Sequence, residues 1–255
     1  MKALQQKAEI WYLGHSSFAV KTNAHFLIFD YYNDKPITVT RGLDAGVIEP
    51  KELKDTPVVV FSSHHHADHF NRLILSWIEQ LPQIQYVLSD DIHAAKGAPN
   101  TTVVAPGAHL ELDGGVAVET LASTDEGVAF VVETDGLSIY HAGDLNWWHW
   151  EGEPDKENEQ MAARYQKEIE KLRGRHFDIA FVPVDPRLDK QYLWGLSYFM
   201  RTVNADMVFP MHFWEDYHIF TRLRQDPDAA RFREHIQTIT RRGQHFQYPR
   251  ESNNH

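Results

Sequence analysis

The stretch Pro57-Val58-Val59-Val60-Phe61-Ser62-Ser63-His64-His65-His66-Ala67-Asp68-His69 joins an unbroken apolar run to a knot of imidazoles and a carboxylate. A β-branched run of this kind predicts a buried strand, so the histidines leave the sheet at its exit. Residues two apart on extended chain project to one side, which aims His64 and His66 at a common point and turns His65 away. Imidazole nitrogen and carboxylate oxygen are the donors that borderline and hard divalent cations take, and His-x-His-x-Asp-His supplies four of them within six residues. A chain with 16 histidines carries some in solvated loops, but donors in this order after a strand point to a chelate. Beyond His69, the residues Leu73, Trp77, Ile78 and Leu81 recur at helical spacing. They predict a helix over 70–81, with Asp68 suited to its entrance.

The 255 residues, 42% of them hydrophobic, suffice for one substantial core. A single domain over 1–255 is expected, its polar tail frayed from about residue 249. The formal net charge of −11 disfavours a generic polyanion binder, so a nucleic-acid partner is not expected. Without cysteine, thiolate ligands, thiol catalysis and disulfides are excluded, and any metal must be held by nitrogen and oxygen. Met1 to Ile10 has no apolar leader core, and no stretch approaches the roughly 18 apolar residues of a membrane span. No membrane partner and a cytoplasmic location are therefore expected, with homo-oligomerisation left open.

Strands are predicted over 10–13, 17–21 and 25–30, forming an opening β-meander, and residues 31–56 read as a long surface loop. A strand over 85–88 and a short helix over 91–96 follow. Runs at 102–104 and 116–121 bracket Asp113-Gly114-Gly115 as a hairpin-like turn, and runs at 128–133 and 137–140 flank Thr134-Asp135-Gly136 as another. Later come a helix over 161–172, a strand over 178–184, a helix over 192–203 and a strand over 207–209.

Gly14-His15-Ser16-Ser17-Phe18, then Leu27-Ile28-Phe29-Asp30, then His64 to His69 resemble in order the signature of the metallo-β-lactamase-fold hydrolase superfamily. The opening resembles the branch that contains the ascorbate-6-phosphate lactonases. The resemblance implies an α/β fold: a four-layer αββα sandwich of two mixed sheets face to face with helices outside. In that family a Gly-Asp pair, here Gly143-Asp144, carries a carboxylate that bridges two cations, and Pro210-Met211-His212 matches the last ligand segment. The metal ligands so implied are His64, His66, Asp68, His69, Asp144 and His212, with Asp68 and Asp144 also orienting the attacking water. Asp30 would support a ligand imidazole, or else simply start a turn. His15 lines the site or is structural. The indoles of Trp147-Trp148-His149-Trp150, Trp148 among them, offer either core or the wall of a substrate pocket.

One feature of the family is missing. A two-metal site usually takes a further histidine from the loop that here reads Ala122-Ser123-Thr124-Asp125-Glu126-Gly127. Asp125 or Glu126 either substitutes as an oxygen ligand or belongs to a solvated turn. One tight cation and a weaker second are therefore expected, as zinc or, because carboxylate hardens a site, manganese. Cations held in this way lower the pKa of bound water toward neutrality. The expected function is hydrolysis of a small-molecule lactone, ester or phosphodiester, including a phosphorylated metabolite. The competing expectation is a non-catalytic or redox iron or manganese protein of the same fold.

Overall fold

The computed structural model describes residues 6–249. The Val58–Ser62 run forms strand β4, buried along its whole length, as expected of a strand with parallel neighbours on both sides. It lies in a mixed sheet with β1 (Ala8–Gly14), β2 (Ser17–Lys21), β3 (Phe26–Phe29), β5 (Ile84–Ser89), β6 (Thr101–Val104) and β13 (His245–Tyr248), in the order β13-β1-β2-β3-β4-β5-β6. The second sheet runs β12-β11-β10-β9-β8-β7, from β7 (His109–Leu112), β8 (Val116–Ala122), β9 (Val128–Thr134), β10 (Leu137–His141), β11 (His176–Pro183) and β12 (Asn204–Met211).

The sheets meet through aromatic side chains that their strands project inward. Phe18 lies 4.2 Å from Phe181, and Phe61 lies 5.3 Å from Phe130, ring centre to ring centre. Each such buried ring contributes about 1.5–3 kcal/mol relative to exposure. Helices α1 (Asp155–Glu170) and α2 (Trp194–Thr202) cover the second sheet, where Phe199 packs 4.8 Å from Tyr140. A short third helix, α3, spans Ile219–Gln225. The outer face of the first sheet is covered by 3-10 turns and the segments between them, whose Ile74, Trp77, Ile48 and Leu53 pack with Trp11, Ile28 and Val60. The layered α/β sandwich expected from the sequence is thus the fold found.

Local departures have local causes. The helix expected over 70–81 is a 3-10 helix, Arg72–Glu79, capped by the Asn71 side chain rather than by Asp68. The Tyr86 hydroxyl donates to Ile74 O, and the Ser76 hydroxyl to Leu73 O, so side chains satisfy carbonyls that α-helical bonds would use. The run at 102–104 joins the first sheet as β6, and the partner of β8 across Asp113-Gly114-Gly115 is β7. Helix α1 begins six residues before Met161, with Asp155 and Glu157 in its first turn where the helix dipole favours negative charge. The 31–56 loop is pinned by the buried Arg242 guanidinium, which donates to the carbonyls of Leu13, Asn33, Lys35 and Gly46. The tail after Arg241 contributes β13, paired antiparallel with β1. The fraying expected from about 249 falls almost wholly outside the described residues.

Candidate metal centre

The chemistry-bearing side chains gather at one edge of the sandwich because the strands end there. Asp30 follows β3, His64 follows β4, Asp144 follows β10, Asp185 follows β11 and His212 follows β12, while Asp125 lies in the turn after β8. Sites beyond the carboxyl ends of strands are the rule in open α/β sheets. His15, Asp30 and His212 have φ of 51°, 47° and 63°. This left-handed conformation is uncommon away from glycine and concentrates at functional sites.

Two sets of donors result. His64, His66, Asp125 and Asp144 each place one ligand atom within 4.8 Å of the others, and His15, Asp68, His69 and His212 do the same. Asp144 stands between the sets. Its Oδ2 is 3.6 Å from His64 Nε2, and its Oδ1 is 3.3 Å from His69 Nε2 and 3.5 Å from His212 Nε2.

Neighbouring oxygens fix which ring nitrogen faces Asp144. Asp30 Oδ2 lies 2.7 Å from His69 Nδ1 and accepts the Ser63 hydroxyl at 2.7 Å, while Asp30 Oδ1 accepts the Ser63 amide. With that hydroxyl proton committed, Ser63 Oγ accepts from His64 Nδ1 at 3.0 Å. Asp185 Oδ2 accepts from His212 Nδ1 at 2.9 Å. Each ring so held turns Nε2 inward. His64 Nε2, His69 Nε2 and Asp144 Oδ1 are buried with no hydrogen-bond partner among the described residues. An unsatisfied buried polar atom costs about 1–3 kcal/mol. Three of them aimed at one another form a donor set that fits divalent cations.

Electrostatics follow from this crowding. Burial pushes the His64 imidazole down to about 4, and the adjacent His69 adds to the effect. Burial likewise takes His15 to about 4, against the pull of Asp68. At Asp144, burial works to raise the carboxyl, but the His69 and His212 imidazoles override it and hold the group well below the usual carboxylate range. Burial disfavours charge on His212, yet Asp144 and Asp185 lift it to about 9. Asp68 is held low chiefly by His15, whose Nε2 lies 3.4 Å from its Oδ2. Acidic and basic groups driven apart inside one cleft mark a functional site.

The turn after β8 reaches the centre because Gly127 and Gly143 carry no side chain. A Cβ on Gly127, at φ 68°, would fall 1.9 Å from Ser63 O, and one on Gly143, at φ 51°, would fall 2.6 Å from Ser63 Cβ. The Val128 amide donates to Ser63 O at 2.9 Å, tying this turn to the His64 loop. Asp125 joins the His64 set, whereas Glu126 lies outward with His65 and His66, 3.0 Å from His65 Nδ1. His65 points away from the centre toward Asp91, as the alternation of side chains predicts.

Beside the two sets opens a cavity of about 330 Å³, lined by Asp68, Asp144, His212 and an aromatic wall of Trp148, Trp150 and Trp214. The Trp148 indole N–H donates to Asp144 O at 3.0 Å, so this residue both lines the cavity and steadies the segment carrying Asp144. Reading the sequence missed Asp185, Arg187 and Trp214. The signal was present for Asp185, which follows an apolar strand just as Asp30 does.

A family model described as a beta-lactamase superfamily domain matches residues 9–158. A metal-dependent hydrolase of Pyrobaculum neutrophilum is 25% identical over 244 residues, covering 91% of this chain and 93% of that protein. Among solved structures, Igni18, a metallo hydrolase of Ignicoccus hospitalis, superposes with a TM-score of 0.62 at 18% identity, covering 96% of this chain and 100% of that one. A putative metal-dependent hydrolase of Parabacteroides distasonis gives 0.61 at 16% identity, over 92% and 94%. Since the model match spans more than half of the chain, and the layered fold agrees with it, the chain belongs to the metallo-β-lactamase superfamily.

Proposed function

We propose that this chain is a metal-dependent hydrolase that cuts a small-molecule ester, lactone or phosphodiester with the help of two divalent cations. The observation that carries the proposal is the inward-facing set of unpartnered buried donors, His64 Nε2, His69 Nε2 and Asp144 Oδ1, between two groups of four ligand-capable side chains. The relatives that are named metal-dependent hydrolases support it.

His64, His66, Asp125 and Asp144 would hold one cation, and Asp68, His69, His212 with Asp144 the other. When bound, such cations supply Lewis acidity toward the scissile oxygen and lower the pKa of water. The residues of the chain do the rest. Asp30, Ser63 and Asp185 hold the three rings through Nδ1 and so turn Nε2 toward the cations. Asp68, kept ionised beside His15 and only half-buried, is placed to orient an attacking water. Trp148, Trp150 and Trp214 exclude solvent from the flank of the cavity. Asp125 in place of a histidine hardens the first donor set and moves its preference from zinc toward manganese or iron.

Metal analysis of the purified protein, beside a panel of p-nitrophenyl esters, lactones and bis-p-nitrophenyl phosphate, tests the proposal. Turnover that is abolished by chelation and restored by manganese or zinc is expected. A metal-loaded protein inert on the whole panel would oppose it.

Asp185→Asn is expected to lower metal affinity or activity by roughly 10- to 100-fold, and Asp30→Asn by a similar factor, because each carboxylate orients a ligand imidazole. Isothermal titration with manganese is the measurement. A titration unchanged from wild type would leave these carboxylates with a purely structural role.

A further inference from the structure

Among the described residues lining the 330 Å³ cavity, Arg187 is the sole arginine or lysine. Its geometry is unusually constrained for a side chain that is 48% exposed. The Nε and Nη2 atoms both donate to Asp185, at 2.9 Å and 2.6 Å to Oδ2, in a fork that fixes the guanidinium plane. The same plane lies 4.6 Å from the Trp214 ring centre and 5.5 Å from that of Trp150, so two indoles hold it by cation–π contact. Asp185 in turn accepts from His212, which ties Arg187 rigidly to the metal-side imidazole. Nη1 makes no hydrogen bond among the described residues. A donor is thus pre-oriented on the cavity wall, at the cost of two indoles and a buried carboxylate.

We propose that Arg187 is the specificity group of the cavity, and that the substrate is a small ester or lactone bearing a carboxylate that receives the Nη1 hydrogens. This rests on the hydrolase proposal for the reaction itself, but not for the binding of the acid. The partial neutralisation of the guanidinium by Asp185 favours a monoanion. A phosphate dianion, with three acceptor oxygens, is matched best by several free donors, whereas Nη1 alone of the Arg187 nitrogens is left without a partner among the described residues. The apolar part of the substrate would lie against the Trp148, Trp150 and Trp214 wall.

The test separates binding from turnover. Isothermal titration of wild type with 4-nitrophenylacetate, its neutral analogue 4-nitrophenylacetamide and 4-nitrobenzyl phosphate is run on manganese-loaded and on chelator-treated protein. The acetate is expected to bind about tenfold tighter than the amide in both forms, with phosphate gaining no advantage over the acetate. Arg187→Gln is expected to erase the difference between acid and amide, and Arg187→Lys to restore only part of it, since a lysine cannot keep both the fork and the free donors. A wild type that does not discriminate, or a preference that survives in Arg187→Gln, would overturn the assignment. A preference found only in the loaded form, and kept by Arg187→Gln, would give the carboxylate to the cations instead. Tighter binding of the phosphate would refute the choice of carboxylate. Hydrolysis of mono-p-nitrophenyl succinate against p-nitrophenyl butyrate is measured in parallel. If neither these esters nor any member of the panel above turns over while the binding preference holds, the hydrolase proposal fails and the role of Arg187 stands.

Discussion

Replacing Asp144 by asparagine is expected to lower metal-dependent turnover by at least about 10³-fold, the equivalent of several kcal/mol of lost charge stabilisation. The carboxylate is 5% exposed and faces His64 on one oxygen and His69 and His212 on the other, so it stands between the two donor sets and touches imidazoles of both. Asparagine keeps the volume and one oxygen but offers a neutral amide where the second oxygen stood. It therefore removes the bridge without opening a cavity. Steady-state rates at saturating manganese, with metal content measured on the same samples, check the prediction. A mutant that keeps both its metal and its rate would show that Asp144 serves the fold and not the centre.

Gly127→Ala is expected to destabilise the chain by about 3 kcal/mol, because the new methyl group would overlap a backbone oxygen in a part of the structure that cannot yield easily. Ser63 O is also the acceptor of the Val128 amide, so relieving the clash breaks the tie between the β8–β9 turn and the His64 loop. For a chain of this size the loss corresponds to roughly 10 °C in Tm. Asp125 sits two residues before Gly127, and its displacement would weaken the first donor set as well. Thermal melting of the chelated and the manganese-loaded mutant distinguishes the two effects. A melting temperature within a degree or two of wild type in both forms would contradict the close approach.

The strand exits carrying Asp30, His64 and Asp144 were legible in the sequence because each follows a short apolar run, and a run of that kind fixes both the strand and the place where its end emerges. His-x-His-x-Asp-His was legible because its donors are contiguous. Asp185 and Arg187 were not, since their roles depend on His212 and on indoles at 150 and 214, brought together only by the pairing of β11 with β12 and by the loops beyond. Adjacent Asp125 and Glu126 were indistinguishable as types. The left-handed turn at Gly127 and its bond to the His64 loop decide that Asp125 turns inward. Strand β13 escaped notice because His245-Phe246-Gln247-Tyr248 is short and half polar, and its place is set by pairing with β1 at the far end of the chain. The 3-10 character of 72–79 has the same kind of origin, in the Tyr86 hydroxyl that reaches the Ile74 carbonyl from β5, beside the Ser76 hydroxyl that takes the Leu73 carbonyl within the segment.

The most direct test of the two-cation centre is anomalous diffraction at the manganese edge from crystals of the manganese-loaded protein, recorded for wild type, Asp125→Ala and Glu126→Ala. Two peaks are predicted in wild type, one among His64, His66, Asp125 and Asp144 and a stronger one among Asp68, His69, His212 and Asp144. The first peak should vanish in Asp125→Ala and persist in Glu126→Ala. A single peak in wild type, or a first peak that survives the loss of Asp125 and disappears with Glu126, would contradict the account.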